Sequence, residues 1–280
     1  MSGRRGAWVA IGLVCLAGLA AAGIAVTRNR ARTVAEACTK VLTREVQYRQ
    51  RLFAEIQPVT LANCKLERFG ETHDGGYLLC GNLLGDVKSA YSYGISGYDQ
   101  WGCDVSTRLG VQVHQYDCFN LTRPRCPRGR TVFHEECIGA SQRTEDGRPF
   151  DTLENQVRKN GDAGKQLIVK MDVEGAEWES FLGLADDQLR RIDQLAVEFH
   201  GIDEGRFIAA VSKLKESFYI ANLHWNNFGC DAAHAPFSSW AYEVLLVSKR
   251  IGVPDPGKPV VRSALDRPNN PELPDCQAAP

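Results

Sequence analysis

Seven short apolar runs, separated by segments of helical periodicity, restrict this chain to an alternating strand–helix architecture. The runs lie at residues 89–93, 111–116, 131–134, 166–171, 194–199, 218–223 and 242–248. Runs of this length, bounded by turn residues, read as buried strands. Between the first two, Trp101, Val105 and Leu109 recur at i, i+4 and i+8, and Gly110 stands where a helix C-cap is wanted. Residues 151–158, 177–185 and 204–217 carry further helical patterns. In the last of these, Phe207, Ile208, Val211 and Leu214 share one face. The alternation predicts a Rossmann-like α/β fold, with a doubly wound, mostly parallel seven-stranded sheet. No helical pattern joins the last two strands, so they are expected to pair antiparallel.

Four segments are distinguished along the chain. Residues 7–26 form a charge-free stretch of twenty. As a helix it spans roughly 30 Å, the thickness of a bilayer core. It is expected to be a single-pass transmembrane anchor within residues 1–32, making the lipid bilayer a partner. A cleaved signal peptide is the rival reading, since Ala20, Ala21 and Ala22 offer small residues for cleavage. Arginines on both sides leave the orientation open. Residues 33–59 carry an amphipathic helix, either a stalk or a helix packed on the domain. Residues 60–250 form the compact domain. Residues 251–280 hold seven of the twelve prolines and form an irregular tail.

With 44% hydrophobic and 24% charged residues, the chain is neither disordered nor collagen-like. The net charge of −1 is unevenly spread. Without Arg4, Arg5, Arg28, Arg30 and Arg32, the remainder holds 28 basic against 34 acidic residues. A body of that sign is a poor nucleic-acid binder. Of ten cysteines, none form a C-x-x-C pair, so neither a zinc site nor a thioredoxin-type site is indicated. Disulfides and buried thiols both remain open. One N-x-T sequon stands at Asn120.

In a doubly wound sheet, ligands bind outside the carboxyl ends of the strands. After the first core strand comes a turn containing Gly94, Ser96, Gly97 and Asp99, where glycines let backbone approach a ligand. It is not a full G-x-G-x-x-G, which argues against a nicotinamide cofactor. Asp117 follows the second strand, 23 residues past Gly94, and a carboxylate there can accept both hydroxyls of a ribose. The fourth strand ends in Asp172, Glu174 and Glu177. Glu177 suits a helix first turn, where the dipole favours acid. The fifth strand ends Glu198-Phe199-His200, and the sixth brings His224 and Asn226. Asp172, Glu174, His200 and His224 are candidates for a general-base cluster or a metal site.

The string Lys170-Met171-Asp172-Val173-Glu174-Gly175-Ala176-Glu177 resembles the signature of FkbM-type S-adenosylmethionine-dependent methyltransferases. The wider pattern is similar to the methyltransferase-like protein 24 group, through residues 73–77, 91–95, 198–201, Asn269-Asn270-Pro271 and Asp275-Cys276. It covers about residues 60–276 and departs from the common glycine motif at Ser96. The resemblance implies a class I methyltransferase fold, S-adenosylmethionine as donor, and an unidentified hydroxyl-bearing acceptor. On that basis Gly94, Ser96 and Gly97 cradle the methionine part and Asp117 holds the ribose. Asp172 lies by the amino or methyl end. His200 is the first choice of base and His224 the second, with Glu174 orienting either and no metal assigned. A catalytically inactive, membrane-anchored interaction module is the alternative.

Overall fold

The computed structural model describes residues 28–276, with side chains from residue 39 onward. The chain divides into two compact units, Met1–Tyr48 and Arg49–Pro280. Helix α1 (Arg28–Glu55) runs from the first into the second. In the first unit Val41, Leu42 and Val46 are exposed. In the second, Leu52 and Ile56 are fully buried, and the Phe53 ring meets Phe237 edge-on at 5.4 Å. The apolar segment 7–26 lies outside the described residues. Among the described residues, no helix is long and apolar enough to cross a membrane.

The second unit opens with a hairpin of β1 (Leu66–Gly70) and β2 (Gly76–Cys80), then β3 (Ser89–Tyr93), α2 (Gln100–Leu109), β4 (Gln112–Tyr116) and β5 (Arg130–His134). A small sheet follows, made of β6 (Cys137–Ile138), β7 (Arg143–Glu145) and β8 (Arg148–Asp151). After α3 (Leu153–Lys159) come β9 (Leu167–Met171), α4 (Glu177–Gly183), α5 (Asp186–Leu189) and β10 (Ile192–His200). The chain then forms α6 (Gly205–Ser217), β11 (Phe218–Trp225) and β12 (Ala241–Ser248). The central sheet has seven strands in the order β11-β12-β10-β9-β3-β4-β5. β5, β4, β3, β9 and β10 are mutually parallel, while β12 runs antiparallel to both β10 and β11. This is a mixed α/β sheet compatible with a Rossmann-like fold.

All seven runs read from the sequence are strands of this sheet, and the last two do pair antiparallel. Alternation along β3 explains how both faces are covered. Ala90 faces a core with Trp101 and Val105 of α2, Phe69 and Tyr77 of the hairpin, Ile168, Ala196 and Leu245. Tyr91 and Tyr93 face the other way and bond Asp162 and Gln156, each at 2.8 Å. Gly110 ends α2 with φ +69, a left-handed cap open to glycine at no steric cost. Further along, Trp178 of α4 stacks on Phe199 and Phe207, each at 4.3 Å.

Two features were not read from the sequence. The β1–β2 hairpin lies against the sheet, and the β7–β8 hairpin turns at Asp146-Gly147, an Asp-Gly pair suited to a two-residue turn. The open question of the cysteines resolves to disulfides for every cysteine with a described side chain. Cys64–Cys80, Cys103–Cys126, Cys118–Cys137 and Cys230–Cys276 are bonded, with Cα separations of 5.0 to 5.6 Å. The last bond fixes the tail beside the short 3-10 turn Asn227–Gly229. Asp266, Asn269 and Cys276 are buried, so much of the tail is part of the domain.

Non-reducing peptide mapping is expected to recover these four cross-linked pairs. The double substitution Cys230→Ser/Cys276→Ser is expected to cost about 2–5 kcal/mol in denaturant unfolding. Unchanged stability would show that the tail is not held by this bond.

Candidate active site

The sheet register lines up most of the candidate residues. His224 on β11 pairs with Glu243 on β12, which pairs with Glu198 on β10. Val197 pairs with Met171, Met171 with Tyr93, and Tyr93 with Tyr116. One residue beyond that row stand Glu198, Asp172, Gly94 and Asp117. The carboxyl ends of four parallel strands therefore carry three acids and a glycine side by side.

His200 is the hub. Its ring is within 4 Å of four carboxylates: Glu177 at 3.2 Å through Nδ1, and Glu198 at 3.7 Å, Asp172 at 3.9 Å and Glu174 at 3.9 Å through Nε2. Glu177 is fully buried, yet all its contacts are specific. Its Oε1 accepts from the His200 backbone N–H at 2.7 Å, and its Oε2 accepts from Gly175 N–H at 2.8 Å. It is thus more than a favourable first-turn acid. Trp178 Nε1 donates to the His200 carbonyl at 2.7 Å and fixes the strand end from the other side.

Burial pushes the His200 pKa down. The Glu177 hydrogen bond and the charges of Glu177, Glu198 and Asp172 outweigh that and raise it to about 10. Burial, then Asp172, pushes Glu198 well above the ordinary carboxylate range. The four surrounding carboxylates thus favour the protonated ring, a form that does not itself accept a proton.

Tyr77, reaching over from the hairpin, donates to Asp172 at 3.1 Å and lies 3.5 Å from Glu198. Asn226 Nδ2 donates to Glu198 at 2.6 Å. Lys170, buried, donates to the carbonyls of Tyr93 at 3.1 Å and Gly94 at 3.0 Å, and lies 3.4 Å from Asp172. Tyr77, Lys170 and Glu198 are thus partners to which the sequence reading assigned no role, and Glu177 does more than the helix first-turn role it was given. The signal for Glu198 was available, because alternation places it on the face of His200. With Lys170 and His200 as cations and Glu198 pushed toward its neutral form, Asp172, Glu174 and Glu177 still leave a surplus of negative charge at this edge.

The glycine turn is built tightly. Gly94 has φ +70, and a Cβ there would collide with the Asp172 carbonyl. Ser96 stands at φ +48 and Gly97 at φ +83. Asp117 Oδ2 accepts from Ser96 N–H at 2.8 Å, and its Oδ1 accepts from Phe119 N–H at 2.8 Å and Asn120 N–H at 3.0 Å. Asn120 Nδ2 donates to the Ser96 carbonyl at 2.7 Å. Asp117 thus has one open acceptor position, on Oδ2, where the sequence reading expected two oxygens free. Ser96 and Glu174 (φ +56) are two of three non-glycine residues with positive φ among those described; the third, Asp146, is in the hairpin turn. Such conformations cost about 1–3 kcal/mol each and concentrate at functional sites.

His224 belongs elsewhere. Its side chain is buried between Glu243 and Asp275, each at 3.4 Å. Asn269 bonds the same Glu243 at 2.8 Å, so this cluster ties the tail to the sheet. The two histidines are not brought together, and both nitrogens of His224 are taken. No group of residues among those described has the arrangement of a metal site. No protein-family model matches the chain, and no curated protein matches it.

The His200 shift predicts a pH dependence. A pKa raised from 6.5 to about 10 on folding means stability that is complete below pH 6.5 and lost as pH rises through about 10. Denaturant unfolding at those two pH values is expected to show a loss in the native chain and a smaller loss in His200→Asn. Equal losses would mean that His200 does not carry the shift.

Proposed function

We propose that this chain is an S-adenosylmethionine-dependent methyltransferase acting on a hydroxyl oxygen. The observation that carries the reading is the row of Glu198, Asp172, Gly94 and Asp117 at the strand ends, with its surplus negative charge. A sulfonium cation with an ammonium group suits that edge. A dinucleotide diphosphate would be repelled by it. The strand order, with β12 antiparallel between β10 and β11, supports the class I methyltransferase sheet that the FkbM-type resemblance implies.

The donor supplies an electrophilic methyl group on sulfur. Gly94, Ser96 and Gly97 form the turn beside it, and the open position on Asp117 Oδ2 accepts one ribose hydroxyl. The protein's main task is to hold the acceptor oxygen about 3 Å from the methyl and in line with it. Asp172 takes the hydroxyl proton, since its carboxylate is partly open to solvent while His200 is already protonated. His200, Lys170 and Tyr77 hold Asp172 in place. The disulfides support a domain exposed to an oxidising compartment, with residues 7–26 as its proposed membrane anchor.

One observation favours a second reading, the inactive interaction module: the four carboxylates around His200 favour its protonated form, which does not act as a base. Calorimetric titration of S-adenosylmethionine into the full-length chain separates the two. Binding in the micromolar range is expected, weakened roughly ten- to a hundredfold by Asp117→Ala, the loss for a charged hydrogen bond. Absence of binding by the folded chain would exclude the methyltransferase reading.

A further inference from the structure

Between Cys118 and His134 the chain has no acidic residue and carries Arg123, Arg125, Arg128 and Arg130. This stands out in a body whose net charge is −6. All four arginines are exposed. Arg123 lies 3.6 Å from Glu135, a pair open to solvent on both sides and therefore weak. Arg130 reaches the Gly110 carbonyl at 3.3 Å. Arg125 and Arg128 have no partner among the described residues.

The loop is braced. Cys126 is bonded to Cys103 on α2, and Gly129 N–H donates to the Cys126 carbonyl at 3.1 Å. Thr122 N–H donates to Asn120 Oδ1 at 3.0 Å, and Pro124 and Pro127 restrict the backbone. Such bracing lowers the ordering cost of binding. The loop also starts at the candidate site: Cys118 follows Asp117, and Thr122 and Asn120 pack against Gly97. Arg148 extends the basic surface, lying over the Phe119 ring at 4.5 Å.

We propose that this loop is a docking surface for an acidic polysaccharide, whose sulfates or carboxylates pair with the arginines. Guanidinium groups bind such oxyanions through two parallel hydrogen bonds. The disulfides favour this partner over the alternatives. Anionic lipid is concentrated in the cytoplasmic leaflet, and nucleic acid is largely intracellular, whereas disulfides persist in oxidising compartments. Resting on the methyltransferase reading, the same loop brings a hydroxyl-rich chain to the acceptor side of the site. The docking itself does not depend on that reading.

The test is retention of the full-length chain on immobilised heparin, without donor, beside vesicles containing phosphatidylserine. Salt-sensitive binding to heparin is expected, weakened roughly tenfold by Arg125→Glu/Arg128→Glu. The charge-matched control Arg51→Glu/Arg190→Glu is expected to bind as the native chain does. S-adenosylmethionine binding by the loop variant is expected to be unchanged, so failure of docking and failure of the donor site are read separately. No retention, equal weakening by both variants, or vesicle capture that the loop variant weakens while heparin binding stays absent (Phe119 and Leu121 are exposed at the start of the loop) would each overturn the proposal.

Discussion

The buried carboxylate of Glu177 holds the candidate site together. It sits at the start of α4 and bonds the His200 backbone, the His200 ring and the Gly175 backbone. A buried charge is tolerated only when paired and fully hydrogen-bonded. Here the pairing partner is His200, which thereby becomes a cation and can neighbour three further acids. Without that cation, Asp172, Glu174 and Glu198 would repel one another across the strand ends. The arrangement thus converts an unfavourable density of carboxylates into a stable, negatively charged edge.

That edge explains why the local backbone departs from ordinary geometry. Glu174 and Ser96 adopt left-handed conformations on the two loops that face each other across Gly94. Gly94 packs against the Asp172 carbonyl so closely that no side chain fits. Asp117 and Asn120 hold Ser96 through its N–H and its carbonyl. Strain on both loops is met by hydrogen bonds from residues just beyond the strands. The same hydrogen bonds reduce Asp117 to one open acceptor position, which narrows how a ribose can be held.

The central sheet was largely legible in the sequence because five of its strands, β3, β4, β9, β10 and β12, are buried along most of their length. Leu167–Val169 is continuously apolar, Tyr91 and Tyr93 are aromatic, and helical periodicity lies between the runs. The β1–β2 hairpin was less legible because Leu66–Gly70 mixes charge with apolar residues and packs on one side only. At the site, Asp172 and His200 were found from strand-end position alone. The setting of His200 was not legible, because it depends on Glu177, a residue 23 positions away that already had a sufficient local explanation. His224 was misplaced for a similar reason. Its partner Asp275 comes from the tail, 51 residues on, and no periodicity reports such a contact. The cysteine pairs span 16 to 46 residues, and spacing alone selects none of them.

The charge state of His200 is the claim on which the proton assignments depend. Its most direct test is nitrogen NMR of the imidazole, assigned with a His200→Gln variant and followed from pH 6.5 to 10. The account predicts a ring that is cationic through the neutral range and titrates near the upper limit. A midpoint at or below 6.5 would contradict it, and would return His200 to the role of base.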